Sequence, residues 1–196
     1  FLDLVVEHGT KVRWRTTISN HRPEVLKKLA GDSGIQMGFS DAGAHLRNMA
    51  FYNFGLRLLR HVRDAEVQGQ AFMTIEQAVH RLTGELADWY EIDAGHLRIG
   101  DRADLVVIDP EHLDERLDNY AEEPVAQYAY LPRMVNRNDA AVNLVLISGR
   151  TVVRDGMPTE ILGAERTGSF LRTGRRTSAP SPVAPTTTKE VLSHVG

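Results

Sequence analysis

There is no cysteine among the 196 residues. This excludes a disulfide framework and any thiolate metal centre, so a metal here would take His and carboxylate ligands. An excess of positive charge is missing too: 23 Lys plus Arg face 26 Asp plus Glu, a formal net charge of -3. Without surplus cations to neutralise phosphates, no nucleic-acid partner is expected. No apolar run approaches the ~20 residues that span a bilayer, so no membrane is expected either. The start, Phe1-Leu2-Asp3-Leu4-Val5-Val6, has no basic stretch before its apolar one and does not read as a signal peptide. The expectation is a cytoplasmic chain that begins in mid-protein.

What is present is unevenly spread. From Arg172 onward Arg172, Arg175, Arg176 and Lys189 face the single acid Glu190, and Pro180, Pro182 and Pro185 sit among Ser, Thr and Ala. Such a composition buries too little apolar surface to offset ordering entropy. Residues 172–196 therefore read as a basic extension of an acidic body.

Residues 1–8 suit the last turns of a helix closed by Gly9. In 11–18, Val12, Trp14, Thr16 and Ile18 alternate with Arg13, Arg15 and Thr17, the period of a strand. Pro23 opens a short helix that carries Val25, Leu26, Leu29 and Ala30, and 35–39 reads as a second strand. Strand, helix, strand is a βαβ unit with parallel strands. A helix over 49–64 is apolar around most of its circumference. The next starts at Thr74, with Gln77 placed for a capping box, and buries Ile75, Ala78, Val79, Leu82, Leu86, Trp89 and Tyr90, with a break expected at Thr83-Gly84. After Asp93 the period changes. Short strands at 105–108, 143–147 and 151–154, with turns at Ser148-Gly149 and Asp155-Gly156, predict an antiparallel β segment.

In a parallel α/β assembly chemistry collects beyond the C-terminal strand ends. Two such ends give Asn20 with His21, and Ser40, Asp41 and His45. Asp41, followed by the small residues Ala42, Gly43 and Ala44, has room beside it to ligate a metal or act as a general base. Capping the following helix is the plain alternative. His45 either reaches that site or lines the loop. Arg13, Arg15 and Arg47 fit substrate carboxylate binding or ordinary ion pairs. The other histidines have no ligand spacing, and there is no phosphate loop or nucleophile elbow.

Two stretches resemble one family. Gly95-His96-Leu97-Arg98-Ile99-Gly100-Asp101-Arg102-Ala103-Asp104-Leu105-Val106-Val107-Ile108-Asp109 resembles the Ala-Asp-Leu-Val strand near the C-terminus of the metal-dependent amidohydrolase superfamily, and 145–156 resembles its closing hairpin. Met37-Gly38-Phe39-Ser40-Asp41-Ala42-Gly43 is similar to the eighth barrel strand of the D-aminoacylase branch, the N-acyl-D-amino-acid deacylases. The resemblance implies the C-terminal part of a (β/α)8 TIM-like barrel over 1–91, with 11–18 and 35–39 as its last two strands. It implies part of a small β-sandwich over 92–171, followed by the 172–196 tail.

It also implies zinc, with Asp41 as the catalytic Asp in contact with the metal. The remaining ligands belong to strands absent from this chain, so the missing N-terminal portion of the same protein is the implied partner. The implied substrate is a small N-acyl amino acid or related amide. Ala42 stands where the branch usually has Gly, and the loop continues Gly43-Ala44-His45-Leu46-Arg47-Asn48. His45, Arg47, Asn20 and His21 are the candidates for substrate contact. Two alternatives are a cyclic amidohydrolase of the hydantoinase or dihydropyrimidinase kind, and a non-catalytic assembly module that forms homo-oligomers. The isolated chain is expected to bind zinc poorly and to leave amides intact.

Overall fold

The computed structural model describes residues 1–12, 21–38, 52–119, 121–126, 129–134 and 138–174. They are mixed helix and sheet, in two compact units, 1–35 and 36–196.

In the first unit α1 (Leu2–His8) ends at Gly9, whose φ of 56 lets its N–H reach the Val5 carbonyl, as the sequence predicts. Lys11, expected to start a strand, instead completes a 3-10 turn over Gly9–Lys11 that Val12 follows as its C-cap; residues 13–18 of the strand predicted over 11–18 lie outside the described residues. Helix α2 (Pro23–Gly31) starts on its proline, but of its apolar residues only Ala30 is buried, and Val25 and Leu29 are exposed. The strand predicted at 35–39 is not formed over its described part. Asp32 accepts from the Gly34 amide at 2.8 Å and from the Ile35 amide at 3.1 Å, which holds the chain in a turn through Ile35. Residues 36–38 then carry no strand, because a strand exists only through a ladder with a neighbour and they have none among the described residues.

The second unit sets three helices beside an open antiparallel sheet. Helix α3 (Phe54–Val67) begins later than predicted, since Tyr52 and Asn53 form a turn, and 49–51 lie outside the described residues. Leu58, Leu59, Val62 and Ala65 are its buried residues; the helix that forms is amphipathic rather than apolar around most of its circumference, because it starts after Met49, Phe51 and Tyr52 and carries Arg57, Arg60, Arg63 and Asp64. Helix α4 (Ile75–Leu82) opens on the predicted capping box. The Thr74 hydroxyl accepts from the Gln77 amide at 3.2 Å while Gln77 Oε1 accepts from the Thr74 amide at 2.9 Å, an arrangement that contributes about 1 kcal/mol. The break falls at Thr83, as expected, and α5 (Gly84–Trp89) follows.

The buried set of these two helices differs from the predicted one. Ala78, Arg81, Gly84 and Ala87 are buried, whereas Val79, Trp89 and Tyr90 are exposed. Small residues let this face approach its neighbours closely, and Trp89 and Tyr90 stack edge-on at 4.6 Å on the outside.

Strands β1 (Leu105–Ile108), β4 (Val142–Ile147), β5 (Arg150–Arg154) and β6 (Met157–Pro158) form one sheet in the order β1-β4-β5-β6, and β2 (Glu122–Val125) pairs with β3 (Leu131–Met134) in a second. Both β4–β5 and β5–β6 close through two-residue loops in which both residues have positive φ: Ser148 at 51 with Gly149 at 77, and Asp155 at 51 with Gly156 at 73. These are type I′ turns, whose twist matches that of the flanking strands. Among the described residues no helix is long and apolar enough to cross a membrane.

Candidate functional site

Asp41, His45, Arg47 and Asn20 lie outside the described residues, so the site is approached through the segments on either side of 39–51. His21 is described: it is exposed, two residues before α2 in the first unit.

Upstream, Gly38 rests on α5. A Cβ built on it would stand 3.4 Å from Leu86 Cδ1, so the backbone three residues before Asp41 lies in contact with the helix. Downstream, Asn53 is only 5% exposed and leaves the start of α3 uncapped by its side chain. Its Nδ2 donates instead to the Leu117 carbonyl at 2.7 Å. The described residues that flank 39–51 are thus held by α5 on one side and by the 3-10 turn over Glu115–Asp118 on the other.

Helix α3 continues this attachment along its polar stripe. Arg57 Nη2 and Arg60 Nη1 each lie 2.9 Å from an Asp118 carboxylate oxygen, and Arg63 Nη1 donates to the Pro110 carbonyl at 2.6 Å. Arginines at three-residue spacing therefore bind the connection between β1 and β2. Sequence reasoning missed these residues. The 57-60-63 spacing was visible, but nothing local marks partners some fifty residues away.

Replacing Asn53 by Ala removes the donor and leaves the Leu117 carbonyl buried without it, at a cost of about 1–3 kcal/mol. A lower urea midpoint with an unchanged m-value is the expected readout; an unchanged midpoint would contradict the anchoring role.

His61 stands on the same charged face. Partial burial of its ring, followed by the charges of Arg57 and Arg60, pulls its pKa below the ordinary 6.5, with Asp118 and Asp64 pulling weakly the other way. A lowered folded-state pKa means that the unfolded chain binds the proton more readily. The contribution of this group is therefore complete above about pH 6.5 and declines as pH falls through the window below it. His61→Gln is expected to flatten the thermal midpoint between about pH 7 and 5; an identical pH slope would contradict this.

Asp109 and Asp114, between β1 and β2, are turn caps. Asp109 accepts from the Glu111 amide at 2.9 Å and lies 2.9 Å from His112 Nδ1, and the His112 and Glu111 hydrogen bonds hold its carboxyl below the ordinary range. Asp114 accepts from the Arg116 guanidinium and amide, which lower its pKa to about 2. A shallow depression of about 220 Å³ there is lined by His112, Arg116, Leu117 and residues 138–141. The Arg116 charge is already spent on Asp114, which leaves no free anion fork in it. Among the described residues no three His, Asp or Glu side chains converge to hold a metal ion, so a zinc cage is not built from them. The resemblance assigns this chain one carboxylate for that purpose, Asp41.

The chain is 61% identical over 157 residues to an uncharacterized protein of Mycobacterium tuberculosis strain H37Rv, a match covering 80% of this chain and 26% of that protein. An uncharacterized protein of Mycobacterium bovis matches to the same extent. The matched stretch spans about a quarter of the length of these curated relatives. No protein-family model and no solved structure gives a match.

Proposed function

We propose that the chain is the C-terminal portion of a metal-dependent amidohydrolase that hydrolyses N-acyl-D-amino acids, with a (β/α)8 barrel completed by the rest of the protein. The observation that carries this reading is the pair of motifs in one chain: the Gly-Phe-Ser-Asp stretch ending in Asp41, and the Gly-spaced run into β1. The position of β1 beside β4, with β4 and β5 joined through the Ser148-Gly149 turn, agrees with the strand and closing hairpin of that family. Room for the remaining strands is consistent with the relatives. Their unmatched length is nearly three times the aligned 157 residues, more than the ~250 residues of a whole barrel.

In this reading Asp41 would contact a zinc whose other ligands belong to the rest of the protein, and the bound ion would supply an activated water. Asp41 takes a proton from the water as it attacks the amide carbonyl and delivers it to the departing amine. The C–N bond breaks, and a carboxylic acid and an amino acid are released. His45 and Arg47 follow Asp41 by four and six residues and are the candidates to contact the acylated amino acid, with the Arg47 guanidinium suited to the substrate's carboxylate. Asn20 and His21 are the candidates from the other loop.

A substrate panel on the protein at its full gene length decides between the readings. N-acyl-D-amino acids are expected to be cleaved, their L-enantiomers more slowly, and hydantoins and dihydropyrimidines not at all. Preferential opening of the cyclic amides would move the protein to the cyclic branch, and no turnover of any amide would contradict an amidohydrolase.

A further inference from the structure

Two stretches of opposite charge meet in the fold. From Gly84 to Gly95 the sequence has the acids Glu85, Asp88, Glu91 and Asp93 and no Lys or Arg; from Arg172 to Arg176 it has Arg172, Arg175 and Arg176 and no acid. The Gly174 amide donates to the Glu91 carbonyl at 3.0 Å, which fixes the last described residue just past the end of α5. The basic extension therefore sets out from the acidic end of this helix.

An aromatic surface is uncovered at the same end. Trp89 is 61% exposed and Tyr90 43% exposed, the two rings meeting edge to face. Covering them removes apolar area from water, and the face of a tryptophan attracts a guanidinium in addition. Trp89 stands two residues before Glu91, and Arg175 and Arg176 stand one and two residues beyond Gly174. At about 3.3–3.6 Å of extended chain per residue, both arginines come within a side-chain length of the Trp89 ring and of the acids around Glu91. Pro180 and Pro182 follow. Proline presets an extended backbone, and such segments settle on aromatic surfaces with little entropy left to lose.

We infer that residues 175–182 of this chain dock on the Trp89–Tyr90 surface, with Arg175 and Arg176 against the Trp89 ring and the acids beside it, and Pro180 and Pro182 along the rings. The Gly174 anchor makes the contact intramolecular, so individually weak contacts hold it without a buried core of its own. The inference does not depend on the proposed hydrolase.

Trypsin reads the docking directly, because the extension carries cleavable bonds inside and outside the docked stretch. Those after Arg175 and Arg176 lie within it, and the bond after Lys189 lies beyond it and serves as an internal reference. In the protein at full gene length, the ratio of initial cleavage at the two arginines to that at Lys189 is expected to be about tenfold lower than in a free peptide of residues 172–196, since cleavage follows the open fraction. Trp89→Ala should raise the ratio about threefold or more, and Glu91→Lys about twofold or more. About 0.5 M NaCl should move the parent toward the peptide, by screening the charges. Trp89 and Glu91 are exposed, so both variants keep the parent's urea midpoint. A parent cut as readily as the peptide, or a ratio that neither Trp89→Ala nor Glu91→Lys changes, overturns the inference.

Discussion

On the proposed function, Asp41→Asn in the protein at full gene length is expected to lower kcat on an N-acyl-D-amino acid by about 10²- to 10⁴-fold, the range in which a positioned proton-transfer group acts. Asn keeps the shape and hydrogen-bonding reach of Asp but cannot accept the proton that the attacking water must lose. KM changes much less than kcat, because the lost interaction belongs to the transition state. Far-ultraviolet circular dichroism stays at the parent level. A loss below tenfold would contradict the catalytic role of Asp41. His45→Ala and Arg47→Ala are the natural companions, since substrate contacts raise KM before they lower kcat.

The second large effect is on stability. Gly156 has φ 73 in the β5–β6 turn, and a Cβ there would collide with the Asp139 carbonyl oxygen and stand 2.8 Å from its carbonyl carbon. These are backbone atoms and cannot rotate away. Gly156→Ala therefore meets the left-handed penalty of about 1–2 kcal/mol and an overpacking cost of about 1–3 kcal/mol. Gly149→Ala, at φ 77 with only Ala103 Cβ at 3.8 Å, meets the first cost alone. Chemical denaturation of the two variants is expected to rank Gly156→Ala well below Gly149→Ala; equal midpoints would show that the Asp139 approach relaxes freely.

What could be read from the sequence was what local chemistry determines. The Thr74–Gln77 box, the break at Thr83 and both type I′ turns depend on residues within a few positions of one another, and each is where the residues put it. Strands β1, β4 and β5 were found for the same reason, being short β-branched runs between turn residues. Failures came where a distant neighbour decides. Residues 36–38 look like a strand but have no ladder partner among the described residues, and Val79, Trp89 and Tyr90 follow a helical stripe yet point outward because small residues occupy the packed face.

The candidate site divides in the same way. Asp41 was singled out by its motif, whereas Asn53, Arg57, Arg60 and Arg63, which tie 53–63 to 110–118, have partners far along the chain.

The most direct measurement is the release of free amino acid from an N-acetyl-D-amino acid by the protein at full gene length, before and after removal of bound metal by a chelator. The account predicts turnover that is lost with the metal, returns with added zinc, and stays absent when zinc is added to Asp41→Asn. Turnover that survives complete metal removal, or that zinc restores equally in Asp41→Asn, would contradict it.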